Sequence, residues 1–102
     1  MKLLDKVKLS MRISTKDFDE ELGSLIKAAL SDLSSVGICN PEDGYKPFTE
    51  NNVDDLVGVA VCTYVRINFG SPENYDRLKK SYDEQKAQLK SCSKYTKYDG
   101  DK

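Results

Sequence analysis

The chain has 102 residues, 16 Lys plus Arg, 17 Asp plus Glu and no His, for a formal net charge of -1. That length suits one domain with a small core. Without His there is no Ser–His or Cys–His pair, no imidazole base and no His metal ligand. The near-zero charge speaks against simple non-specific nucleic-acid binding by the surface as a whole.

The first segment, Leu3 to Met11, sets Leu3, Leu4, Val7 and Met11 at helical spacing. Charges follow the opening Met1-Lys2-Leu3-Leu4 at once, so no signal peptide is read there and a soluble intracellular protein is expected. The second helix is predicted from Lys16 to Val36. Ser14, with Asp17 three residues on, makes a weak capping box, and Asp17, Asp19, Glu20 and Glu21 suit the positive end of a helix dipole. Phe18, Leu22, Leu25, Ile26, Ala29, Leu33 and Val36 form its apolar stripe, and Gly37 fits the stop.

Residues 37–50 are predicted as a long loop. Asn40-Pro41, Asp43-Gly44 and Lys46-Pro47 are turn or breaker pairs. Asp43-Gly44 also suits a hairpin turn, but its flanks lack alternating apolar residues. Ile38, Tyr45 and Phe48 are expected to tack the loop to the body. The segment is either a plain connector or a contact surface.

The third segment runs from about Asn52 to Phe69, with Val53, Leu56, Val57, Ala60, Val61, Tyr64 and Val65 in helical register. Its β-branched content suits a strand equally well, but its length decides for a helix. A helix apolar on most sides belongs at the centre of a bundle, and Gly58 would allow a neighbour close. The apolar run Leu56 to Cys62 is too short to span a bilayer, and no membrane association is expected.

Ser71 as N-cap and Pro72 at the first helical position start a fourth helix, predicted from Pro72 to about Ser91. Tyr75, Leu78, Tyr82, Gln85 and Leu89 form a thin seam, which leaves room for a partner on the other side. From Ser93 to Lys102 no core pattern remains. This tail, with Tyr95 and Tyr98, reads as a frayed terminus or as a docking arm. The expected organisation is one helical domain over 1–92 and a flexible tail over 93–102. The expected core centres on Leu22, Ile26, Ala29, Leu56, Val57, Ala60, Val61 and Tyr64.

Little in the chain suggests chemistry. Three Cys at 39, 62 and 92 are odd in number and lack a CxxC, so they give neither a disulfide framework nor a zinc site. No phosphate-binding glycine loop, zinc-protease pair or EF-hand is present. The acids of the second segment are explained by the helix dipole. No catalytic residue, cofactor or metal site is assigned, and the chain is read as not an enzyme. The charge is unevenly spread, however. Residues 1–70 hold 8 basic and 11 acidic side chains, whereas Arg77 to Lys97 holds 7 basic and 2 acidic. Arg77, Lys79, Lys80, Lys86, Lys90 and Lys94 therefore form a candidate basic surface toward another subunit or DNA. The plain alternative is a solvated face paired with Asp76, Asp83 and Glu84. A monomer with this patch would bind DNA feebly, whereas a ring repeating it would line a passage.

The stretch Met1 to Ser14 followed by Phe18-Asp19-Glu20-Glu21-Leu22, then Ala60 to Gly70, then Tyr75 to Asp83, resembles the head–tail connector (adaptor or DNA-packaging) proteins of tailed bacteriophages, in the same order and over nearly the whole chain. The resemblance implies an all-α subunit: a small bundle of about four helices with a long loop between helices 2 and 3. It implies a homo-oligomeric ring, dodecameric in the virion, beneath the portal. There it would join the filled head to the tail and help retain DNA. The portal protein, a tail-side stopper or completion protein and DNA in non-specific passage would be its partners. Its places would be the host cytoplasm during assembly and then the head–tail junction of the virion. Tyr95 and Tyr98 would sit on a portal-contacting arm. The runner-up is a small helical regulatory or DNA-binding domain. It is disfavoured by the long connection between segments two and three and by a third helix too apolar for a major groove.

Overall fold

The computed structural model describes residues 2–70 and 72–96. Four helices make up the bundle: α1 (Leu3–Met11), α2 (Asp19–Ser35), α3 (Asp55–Asn68) and α4 (Tyr75–Ser91), with a single 3-10 turn at Pro41–Asp43. No strand is formed among the described residues, only two isolated antiparallel backbone pairs, Asn40 with Lys46 and Ile38 with Thr96. The all-α expectation holds, valine-rich third segment included.

The helix ends explain the boundaries. α1 stops at Arg12, which turns left-handed at φ 58 while Ile13 N–H reaches back to Lys8 C=O at 2.9 Å. α2 starts later than the predicted Lys16. Thr15 Oγ1 accepts the Asp17 N–H at 3.1 Å, and this local turn competes with the first helical turn. Phe18 becomes the N-cap without a side-chain bond. Gly37, at φ 89, closes α2: its N–H bonds Ser34 C=O and the Ile38 N–H bonds Leu33 C=O. Only a residue free of Cβ strain adopts that backbone cheaply.

α3 begins at Asp54, whose side chain accepts the Val57 N–H at 3.0 Å. α4 begins at Tyr75 rather than Pro72, because Asn74 C=O accepts the first helical bond, from Leu78 N–H at 2.9 Å. The expected cap Ser71 lies outside the described residues.

α3 packs against all three other helices, and α2 runs antiparallel to it, with Phe18 at the start of α2 meeting Phe69 at the end of α3 at 5.3 Å between ring centroids. α1 lies along its Gly58 edge, where Lys6 Nζ comes within 3.9 Å of where a Gly58 Cβ would stand. α4 lies along its Tyr64 edge, where the Tyr64 and Tyr82 rings meet edge to face at 5.4 Å. α2 fills the side between, tied to α1 by Lys8–Asp19 at 2.7 Å and to α4 by Tyr82–Asp32 at 2.5 Å. The fourth side of α3, carrying Asp55, Leu56, Val59 and Arg66, stays exposed.

Leu22, Ile26, Ala29, Val57, Ala60 and Val61 are fully buried, as expected. Leu56 is not: it is 63% exposed, because its position points to the uncovered side of α3. Tyr64 is half-buried at the α3–α4 edge. Of the loop anchors, Ile38 and Phe48 are buried, whereas Tyr45 is half-buried at φ 61 in the turn that pairs Asn40 with Lys46. The hairpin-like turn thus forms at Asp43-Gly44 without an apolar face. It is held by the Asn40 side chain accepting Glu42 N–H at 3.0 Å and by Tyr45 N–H on Asn40 C=O at 2.8 Å.

The largest departure is the end of the chain. Tyr95, expected on a flexible tail, is 1% exposed and is among the largest fully buried side chains. The packed body therefore continues past Cys92 to Thr96. Cys39 N–H bonds Tyr95 C=O at 2.8 Å, and the Phe48 and Tyr95 rings lie 6.1 Å apart. A lone aromatic without periodic neighbours gives no core signal in sequence, yet one large ring buries enough apolar area to hold a short segment.

Candidate functional site

The six basic residues singled out above do not form one face. An α-helix repeats every 3.6 residues, so Lys79, Lys86 and Lys90 share one flank of α4 while Arg77 and Lys80 stand on others. Lys79 is tied within its own helix to Asp83 at 3.1 and 3.2 Å. That pair is exposed and contributes little. Lys86 reaches across to Asp32 of α2 at 3.0 Å and lies over the Tyr82 ring at 5.3 Å. Lys94 stands 3.8 Å from Asp54 and over the Tyr95 ring at 5.2 Å. Lys86 is therefore engaged in holding α4 to α2, whereas Lys94, 58% exposed and at the longer distance, adds little to the Asp54–Tyr95 contact. Arg77, Lys80 and Lys90 are exposed and carry no ion pair among the described residues.

Two tyrosine–aspartate contacts, Tyr82–Asp32 with Lys86 and Tyr95–Asp54, thus tie the C-terminal third to the body. At Asp32, burial pushes the carboxyl up, but hydrogen bonds from Tyr82 and Lys86 and the charges of Lys86 and Lys79 outweigh it and hold it below its ordinary 3.8. Burial, then the hydrogen bond to Asp32, pushes the Tyr82 phenol well above its ordinary 10.0. Burial and the bond to Asp54 do the same to Tyr95. These groups are set for structure: a carboxylate kept ionised and a phenol kept protonated make a strong, permanent hydrogen bond.

Tyr95 is consequently closed to any partner, which corrects its assignment to a docking arm. Tyr98 lies outside the described residues. Sequence reasoning missed Asp32 and Asp54, which look like ordinary helix acids until their tyrosines are placed beside them. It also missed Arg12 and Arg66, which line one cleft with Ser10, Phe69, Asn74 and Leu78. Standing 54 positions apart in the chain, they carry no common motif.

The three thiols are unpaired: Cys39 and Cys62 are half-buried and Cys92 is exposed, with burial raising the Cys62 thiol. Among the described residues no three of His, Cys, Asp and Glu come close enough to hold a metal ion. No helix among them is long and apolar enough to cross a membrane. Among the described residues the surface offers faces with clefts between the helices.

No curated protein and no solved structure matches this chain. A family model described as phage connector protein matches residues 3–96. That match takes in all four helices and ends at the Tyr95–Thr96 segment that the structure packs against the core. The chain therefore belongs to the phage connector protein family, whose role is structural rather than catalytic and whose members associate with other head and tail proteins at the junction between them.

Proposed function

We propose that the chain is the repeating subunit of a ring that joins the portal at the capsid vertex to the tail and helps retain packaged DNA. The observation that carries this reading is the end-to-end family match over 3–96. The uncovered side of α3 supports it, since Leu56 and Val59 remain 63% and 52% exposed in the single chain. Apolar side chains exposed side by side on one helix face are what a partner buries.

The portal protein would lie on one side of the ring and a tail-side stopper or completion protein on the other. Twelve copies would match the portal, as the resemblance implies. DNA would pass through the ring without sequence recognition, met by the exposed cations of α4. Any arm that reaches the portal must begin beyond Thr96, since Tyr95 is anchored, and Tyr98 is its first aromatic. Assembly would take place in the host cytoplasm before the ring enters the virion.

Complementation tests the reading. A phage lacking this protein should fill its heads with DNA yet fail to join tails, or should leak DNA, and the gene supplied in trans should restore tailed particles. Normal tailed particles in its absence would end the connector reading.

A further inference from the structure

The chain holds three arginines, Arg12, Arg66 and Arg77. All three stand at one end of the uncovered side of α3. Arg12 and Arg66 line a cleft of about 280 Å3 with Asn74 and Leu78. Arg77 follows Asn74 by three residues and so shares its flank of α4. None of the three has an acidic partner among the described residues. Toward the other end of the same side stand Leu56 and Val59. They border a second cleft, of about 400 Å3, between α3 and α4. Gln85 lines it, and its buried Oε1 has no hydrogen-bond partner. An unpaired buried carbonyl calls for a donor from elsewhere.

The outer side of α2 lies on the opposite face of the bundle. At the arginine end it carries exposed Asp17, Glu20 and Glu21. Further along come Ser24, Ala28 and Ser31, exposed and short, with the exposed Lys27 between them, whose flexible stem can lay its ammonium outward at the edge of a contact. The two sides match in order and in length. Glu20 to Ala28 spans about 12 Å of helix, and Arg66 to Val59 about 10 Å, at 1.5 Å per residue.

We propose that these two sides are the halves of one contact between successive copies of this chain: the uncovered side of α3 in one copy receives the outer side of α2 in the next. With both copies pointing the same way, the acids of α2 meet the three arginines, whose forked donors suit carboxylates. Ala28 and Ser31 then lie over Val59 and Leu56, where short side chains let the helices close. A serine hydroxyl of α2 supplies the donor that Gln85 lacks. Because the halves differ and face opposite ways, the contact is heterologous and repeats from copy to copy, closing as a ring when its rotation allows. This inference rests on the ring reading and assigns the surfaces that would build it.

Charge exchange tests it, read by sedimentation velocity at low and high salt, with circular dichroism confirming that each exposed variant stays helical. Wild type should assemble, less so at high salt. Arg66→Glu with Arg77→Glu should stay monomeric, and so should Glu20→Lys with Glu21→Lys. An equal mixture of the two variants should assemble again, because alternating copies restore every contact, and so should one chain carrying all four changes. Leu56→Asp should also stay monomeric, and no charge partner should rescue it. Wild type that is monomeric at every concentration would remove the ring reading and this assignment together. Wild type that assembles beside charge variants that assemble equally well would overturn the assignment alone. So would an arginine variant that assembles normally but loses binding to duplex DNA, since the face would then belong to DNA.

Discussion

The Tyr95 hydroxyl donates to Asp54 Oδ2 at 2.5 Å, while Asp54 Oδ1 accepts the Val57 N–H at 3.0 Å. One carboxylate therefore caps the central helix and anchors the end of the described chain. Its two duties are coupled: the cap fixes the carboxylate rotamer, and the phenol keeps it there. Tyr95→Ala should cost about 3–5 kcal/mol, the range for emptying an aromatic site in a core. Tyr95→Phe should cost about 1–3 kcal/mol by leaving the carboxylate short of a partner. Asp54→Ala loses cap and anchor together, so a double-mutant cycle with Tyr95→Phe should show clear coupling in urea unfolding. Truncation after Cys92 should lower the melting temperature markedly. An unchanged melt would mean that Tyr95 is not part of the core in solution.

Tyr82, Asp32 and Lys86 repeat the arrangement on α2, and the pH dependence follows from both clusters. The Asp32 carboxyl is depressed in the fold, so its contribution is complete above its unfolded value near 3.8 and is lost as pH falls through the lower folded value. The Tyr82 and Tyr95 phenols are raised. Their contribution is complete below the unfolded value of 10.0 and is lost as pH climbs above it, because only the unfolded chain releases those protons readily. Stability measured by denaturant should therefore be flat through neutrality and fall at both extremes. The alkaline fall should shrink in Tyr82→Phe and Tyr95→Phe. An alkaline limb unchanged in both variants would count against protonated phenols as its cause.

Val61 and Leu56 sit five residues apart on α3, yet Val61 is fully buried and Leu56 is 63% exposed. Asp at Val61 would bury an unpaired charge and should abolish the cooperative melt. Asp at Leu56 should leave the melt within about 0.5 kcal/mol of the parent, as exposed substitutions usually do. Similar melts for the two variants would mean that the uncovered side of α3 is wrongly placed.

Those two residues also mark how far the sequence could be read. Periodicity located all four helices, because apolar residues repeating at helical spacing must share a face. It could not say which part of a helix apolar nearly all round would lack a neighbour, so Leu56 and the buried Val57 looked alike. The α2 start was misplaced because Thr15 satisfies a backbone N–H in a turn, a local choice that competes with capping at Ser14. Tyr95 was invisible for another reason: its burial depends on Phe48, Asp54 and Cys39, all from segments distant in the chain. The basic surface was read from density along α4, whereas Arg12, at the end of α1, and Arg66, in α3, meet in one cleft with no density in sequence to announce them.

If α2 and the open side of α3 face neighbouring copies, the outer edge of α4 is left at right angles to both. Lys80 projects there and Lys90 stands on the adjacent flank, both exposed and without ion pairs among the described residues. A ring repeats them in every copy, so weak single contacts add along the phosphate backbone of the passing duplex. Lys80→Glu with Lys90→Glu should leave the melt and the assembly of the purified protein unchanged, since neither residue holds the fold or lies on the proposed contact. In complementation, the same variant should give tailed particles that lose DNA faster on incubation, with the defect growing as ionic strength falls and repulsion is screened less. Particles as stable as the parent at every salt concentration would turn this edge of α4 away from the passage.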